Sequence, residues 1–218
     1  MAWYVFALVD RIPSGAAGRG LTGALALRKL AGAYALVERR ADVPPAAFGT
    51  LKKHQEVVSR VAKQVPAILP VRFGTLLESA DLEEAVEERD EEIAGAFDLV
   101  RDRVQFTWRT SKPRREARGA RRDARQPASG AEYLRRAARA ANPAAPAAFR
   151  ALQPTLAPLA VRQRYQPGTP ALPEAVYHLV GKSDARRYAA EAVALKDTSP
   201  VLTVTGPFPP YAFAPQIL

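Results

Sequence analysis

Two histidines, His54 and His178, are the only side chains here that could serve as imidazole bases near neutral pH. A catalytic histidine needs a nucleophile or an orienting partner. Cysteine is absent and no serine is marked out by its surroundings. His54 stands in "HQEVV", at the edge of a helical apolar face, and His178 alternates with Val176 and Val180, so both read as packing residues. The ten carboxylates from Glu78 to Asp98 are spread around a helix and read as a solvated face rather than an acid/base pair. "GAAGRG" comes after a strand but has neither the P-loop lysine nor the dinucleotide-binding spacing, and reads as a surface loop. Two histidines and no cysteine leave too few ligands for a typical metal site. The expectation is no catalytic, cofactor-binding or metal residue, and no enzyme.

A second possible chemistry is phosphate neutralisation. "KPRREARGARRDAR", residues 112–125, is strongly basic and holds nothing apolar larger than alanine, which predicts an exposed, protease-sensitive loop. Nucleic-acid binding through this loop is the alternative reading. Against it, "VQFTWRT" and "VYHLVGK" lack the aromatic signature of RNA-recognition strands, and the basic run holds no aromatic on which a base could stack.

Hydrophobic period gives the elements that would position these residues. Residues 3–9 read as a buried strand, and 25–37 as a hairpin broken at Ala31-Gly32. Pro44-Pro45 opens a helix whose apolar face is Phe48, Leu51, Val58, Val61 and Val65, and Pro66 stops it. Leu69, Val71 and Phe73 alternate on one face of a strand. Arg72 lies on the other face and is expected to pair with Glu78, Glu84 or Glu88. One helix over 80–100 carries Leu82, Val86, Ile93, Phe97 and Val100 as its stripe, with Arg89 among them. Val104, Phe106 and Trp108 alternate along a half-buried strand.

"SGAE" at Ser129 is a capping box that starts a helix. Pro143, Pro146, Pro154 and Pro158 break whatever helix holds Phe149, Leu152, Leu156 and Leu159. A polar edge strand (161–166), a buried strand (176–181), a helix with Tyr188, Ala192 and Val193 begun by Ser183 or Asp184, and a strand (201–205) complete the chain. Two α+β domains result, 1–101 and 102–218. The second has the split βαβ order of a ferredoxin-like sandwich.

With 218 residues, 48% hydrophobic and 25% charged, the chain has the profile of a globular protein. The net charge of +10 favours solubility and anionic partners. No apolar run approaches the ~20 residues of a membrane span, and the N-terminus lacks the basic start of a signal peptide, so no membrane association is expected and a cytoplasmic location fits.

Three stretches together resemble the gas vesicle protein GvpL/GvpF family: "HQEVVSRVAKQVPAILPVRFGT" (54–75), "SGAEYLRR" (129–136) and "VTGPFPPYAF" (204–213). They occur in the family's order with similar spacing. The resemblance implies a non-enzymatic accessory or minor structural protein of gas vesicles. Its implied partners are the small, very hydrophobic shell subunit and other accessory proteins. Two α+β domains, the second a modified ferredoxin-like fold, are implied as well.

The third stretch also raises a local question. Gly206 permits a turn out of the last strand, and Pro207, Pro209 and Pro210 stiffen the chain beyond it, so Phe208, Tyr211 and Phe213 land at fixed positions. They can pack back over the gap between the domains as a strap, or form an aromatic platform for the shell subunit. The candidate partner-binding residues are therefore Phe208, Tyr211 and Phe213, with Arg72 and His54.

Overall fold

A computed structural model describes residues 2–15, 18–110, 147–152, 154–169, 172–198 and 202–216. The chain divides into two compact units, one of residues 1–105 with 207–218, the other of 106–206. The terminal segment, grouped by sequence with the second domain, clusters with the first unit. The basic run 112–125 and the capping-box helix at Ser129 lie outside the described residues.

The first unit is built on β1 (Ala2–Val9), flanked on one side by the hairpin β2 (Ala26–Leu30) and β3 (Ala33–Arg40). On its other side it pairs with β4 (Ile68–Pro70) and β5 (Leu76–Leu77), giving the order β2-β3-β1-β4. The pairings of β1 with β3, β4 and β5 are antiparallel. The β1–β3 register shifts between Val5 and Ala7. A bulge of this kind reverses the alternation of faces. It explains why Tyr4 and Phe6 before it, and Ala7 and Val9 after it, join one core cluster.

Helix α1 (Phe48–Ala62) closes that cluster with Val57, Val58 and Val61. It starts at Phe48, after the two prolines rather than with them. At 3.6 residues per turn, Phe48 lies roughly 130° from the middle of the buried arc and Leu51 at its margin. Phe48 is therefore 83% exposed and Leu51 41%, where the sequence places both on the apolar face.

The predicted helix over 80–100 is two helices, α2 (Ser79–Glu87) and α3 (Asp90–Val100), with Arg89 in a non-helical conformation between them. Its stripe survives: Leu82, Val86, Ile93, Phe97 and Val100 are all buried. Arg89 is exposed and donates to the carbonyl of Gln216.

In the second unit β6 (Arg103–Thr110), β7 (Ala160–Gln166), β8 (Ala175–Gly181) and β9 (Leu202–Phe208) form one sheet in the order β7-β8-β6-β9. Its two central strands are the first and third of the unit, the strand order of a split βαβ arrangement. Helix α4 (Ala185–Thr198) packs on β8 through Tyr188 and Ala192, while Val193 is 60% exposed. The described part of the 143–158 stretch forms 3-10 turns at Ala147–Leu152 and Ala157–Leu159 in place of a continuous helix, and Phe149, Leu152 and Leu156 are buried. β6 is buried on both faces at its centre, since Gln105 and Thr107 are buried alongside Phe106 and Trp108. It is thus not the half-buried strand its alternation suggests. No helix among the described residues is long and apolar enough to cross a membrane.

Candidate functional site

The first candidate residue is well inside the protein. His54 is 4% exposed, with its ring stacked on Phe6 at 5.3 Å and edge-on to Phe73 at 5.6 Å. Its Nδ1 meets the Tyr4 hydroxyl at 2.9 Å. That hydroxyl also accepts the amide of Gly74 at 3.3 Å, so its own proton is available to His54. The network assigns a neutral imidazole with its proton on Nε2. Burial lowers the histidine's pKa from 6.5 to about 4, with the Val71 backbone opposing it, and pushes Tyr4 up to about 12.

The second unit repeats the device with different elements. Trp108 Nε1 donates to the Tyr188 hydroxyl at 2.8 Å, and that hydroxyl meets His178 Nδ1 at 2.6 Å. Burial lowers His178 to about 4 as well, and raises Tyr188. Phe106 packs on the same tyrosine, ring centres 4.4 Å apart. Neither histidine can meet a partner from these positions. Their work is to satisfy a buried hydroxyl in each core.

Arg72 is not on a strand. β4 ends at Pro70, and residues 71–75 form a turn in which the Arg72 carbonyl accepts the amide and hydroxyl of Thr75. Its side chain is exposed and joins no ion pair among the described residues, so the expected link to Glu78, Glu84 or Glu88 does not form.

The terminal aromatics separate. β9 continues through Gly206, at φ +132°, and Pro207 to Phe208, so the turn comes later than Gly206. Only glycine adopts that φ without strain, and a proline is tolerated because β9 is an edge strand. Phe208 is half-buried at the strand's end. Beyond it the chain turns over residues 211–213, with Pro210 accepting the amides of Phe213 and Ala214. Tyr211 packs against the core cluster of the first unit, and Phe213 is 8% exposed. The Ala212 amide is held by Gln105 Oε1 at 2.7 Å. Burial, and secondarily Tyr4, raise the Tyr211 hydroxyl's pKa.

Sequence reasoning passes over Glu38. It is 1% exposed on β3, and its carboxylate takes the amides of Leu21 (2.5 Å), Thr22 (3.1 Å) and Gly23 (2.9 Å), and the Thr22 hydroxyl (2.8 Å). Burial alone would raise its pKa, but these donors, the Gly23 amide foremost, leave it lowered. A Cβ on Gly20 would stand 2.0 Å from Glu38 Oε2, so only glycine lets the loop come this close. The clue in the sequence is the pair of glycines at 20 and 23 facing a lone acid within an apolar strand. Glu38→Ala strands at least three amides. It should cost about 3 kcal/mol or more in urea unfolding and speed hydrogen exchange at residues 21–23. Unchanged exchange there would show that the loop holds itself.

Among the described residues the exposed large hydrophobics are Ile12, Val43, Phe48, Leu51, Val161, Leu172 and Val193. The stretch 43–51 presents Val43, Phe48 and Leu51, which are 52%, 83% and 41% exposed. Beside α1 the loop forms a groove of about 520 Å³ lined by Arg19, Leu21, Lys53, Glu56, Val57 and Arg60. No group of three or more potential metal-ligating side chains occurs among the described residues.

Residues 2–215 match the family described as "Gas vesicle synthesis protein GvpL/GvpF". Two solved structures share the fold. The gas vesicle protein GvpF from Anabaena sp. PCC7120 aligns with a TM-score of 0.71 at 15% identity, over 98% of this chain and 96% of that one. GvpF from Microcystis aeruginosa aligns with a TM-score of 0.72 at 15% identity, over 98% and 99%. No curated protein is close enough in sequence to match.

Proposed function

Because this chain belongs to the GvpL/GvpF family of gas vesicle synthesis proteins, we propose that it is a non-enzymatic accessory protein that assists shell assembly by binding the hydrophobic shell subunit. It acts in the cytoplasm, at the gas vesicle. The observation that carries the reading is the exposed apolar stretch on the first turn of α1. A phenylalanine left 83% exposed, with Leu51 one turn away and Val43 just before the helix, is costly surface for a lone soluble protein. Such surface suits a partner whose own face is apolar. Tyr211 packs on the first unit's core cluster and Phe213 is buried, so the docking surface we propose is Phe48, Leu51 and Val43, with Arg72 and the half-buried Phe208 as lesser candidates.

The test is capture of the shell subunit by the full chain, with nuclease and at high salt. Capture should survive both. Phe48→Asp with Leu51→Asp should abolish it while leaving the melting temperature within a degree or two, because neither side chain is buried. Capture unaffected by the double change would move the docking surface elsewhere. Loss of all capture on nuclease treatment would favour the basic run and nucleic acid instead.

A further inference from the structure

The groove beside α1 has an unusual balance of groups. Lys53 and Arg60 are seven residues apart on one stripe of the helix, about 10 Å along its axis, and Arg19 stands across from them. Leu21 and Val57, both nearly buried, form an apolar floor. Arg19 spends one nitrogen on the Thr22 carbonyl and Arg60 one on the Arg19 carbonyl, which stiffens both guanidinium groups. Lys53 joins no ion pair among the described residues, and Glu56 pairs with Lys52 at 3.9 Å.

A small multivalent anion is a poor fit. The amides of Leu21, Thr22 and Gly23, which could have formed an anion nest, all point at Glu38, and Glu56 would repel such a ligand. Separate carboxylates on aliphatic stems suit the groove better, because each can meet one cation while the stems cover the apolar floor.

The same unit carries such a surface on α2 and α3. Glu84, Glu87, Glu88, Glu91 and Glu92 are all exposed on α2 and α3 and join no ion pair among the described residues. Glu83 is the exception: it meets Arg28 at 2.8 Å and fastens α2 to the hairpin. Glu84 and Glu88 are one helical turn apart, so two carboxylates stand on one side of the helix where separate cations can meet them.

We infer that the cationic groove of one copy takes the acidic α2–α3 face of a second copy. The two halves are different surfaces, so the contact is head-to-tail, and each copy still offers a free half at either end. Repetition builds a ring where the rotation between copies closes and an open chain where it does not. The net charge of +10 works against association at long range. At an ionic strength of about 0.1 M charges are screened beyond ~10 Å, which leaves the local match in control.

Sedimentation of the full chain tests this without any shell component. In about 0.1 M salt the average mass should climb above 23.6 kDa with concentration, and fall back towards it near 0.5 M salt. Lys53→Glu should weaken association on the order of tenfold, and so should Glu84→Lys with Glu88→Lys. All three positions are exposed, and unchanged melting temperatures verify the fold. Mixing the two variants should restore association, because each reversed surface finds its complement on the other chain. A mass that stays at the monomer value at every concentration would overturn the inference. So would association that ignores the charge reversals, or variants that stay apart when mixed.

Discussion

Lowering the pH from 7.5 to 5 should cost each unit about 2 kcal/mol of stability, well before ordinary carboxylates titrate. The cause is the buried histidine in each. Folded, His54 and His178 bind a proton only near pH 4; unfolded, each does so near 6.5. Below 6.5 the unfolded chain therefore holds more protons than the folded one, so stability rises with pH through this window and is lost as pH falls. The loss per histidine levels off at about 3 kcal/mol near pH 4. There the lowered pKa of Glu38 adds a further loss, since its contribution is present above the usual carboxylate range and disappears as pH falls through its folded value.

The hydrogen bonds agree with this direction. A protonated His54 would aim Nδ1–H at a hydroxyl whose own proton already points back at it, and the Gly74 amide blocks the hydroxyl from simply turning over. Trp108 does the same at Tyr188. Urea midpoints at pH 7.5 and 5 should differ by roughly 1.5–2 M. His54→Gln should flatten the dependence of the first unit alone, and His178→Gln that of the second. Equal midpoints at the two pH values would mean that both imidazoles reach water.

Residues whose partners are near in sequence, or whose pattern is periodic, are legible in the chain directly. The β2–β3 hairpin at Ala31-Gly32, the buried stripe from Leu82 to Val100 and the polar edge strand β7 all rest on local alternation or helical period. The pairings that decide the cores do not. Tyr4 and His54 are separated by 50 residues, Trp108 and Tyr188 by 80, and Ala212 and Gln105 by 107, and nothing local links them.

Two local misreadings have local causes. Phe48 reads as core because three- and four-residue steps connect it to Val58, but the helix begins at Phe48 and the steps drift off the buried arc. Arg72 reads as the outer face of a strand because Leu69, Val71 and Phe73 alternate; pairing with β1 stops at Pro70, and alternation beyond the last paired residue carries no facing. Glu38 escapes notice for the opposite reason. Most of its partners are backbone amides, which every sequence contains, and the glycines around them mark the approach.

Tyr211→Ala with Phe213→Ala should be among the most damaging changes outside the β1 cluster, at about 5 kcal/mol together, close to the whole stability of a unit. Phe213 is 8% exposed, and Tyr211 packs on the cluster that holds Tyr4 and Phe6. The segment's backbone is fixed as well, by Gln105 at Ala212 and by Arg89 at Gln216. Pro209 and Pro210 are buried, and as prolines they lose little chain entropy when the segment is laid down. Each of these favours a strap fastened to the first unit over a free aromatic platform. Phe208→Ala, at a half-buried ring on an edge strand, should cost less than either of the other two. Arg89→Ala should cost about 1 kcal/mol, since its bond to Gln216 is exposed. Melting temperature and shell-subunit capture, measured on the same variants, separate the two roles. A strap predicts that capture falls only as far as folding does, and recovers at low temperature where the double variant is folded. A double variant with an unaltered melting temperature and no capture would instead put the docking surface on the terminus, and would take that role from Phe48 and Leu51.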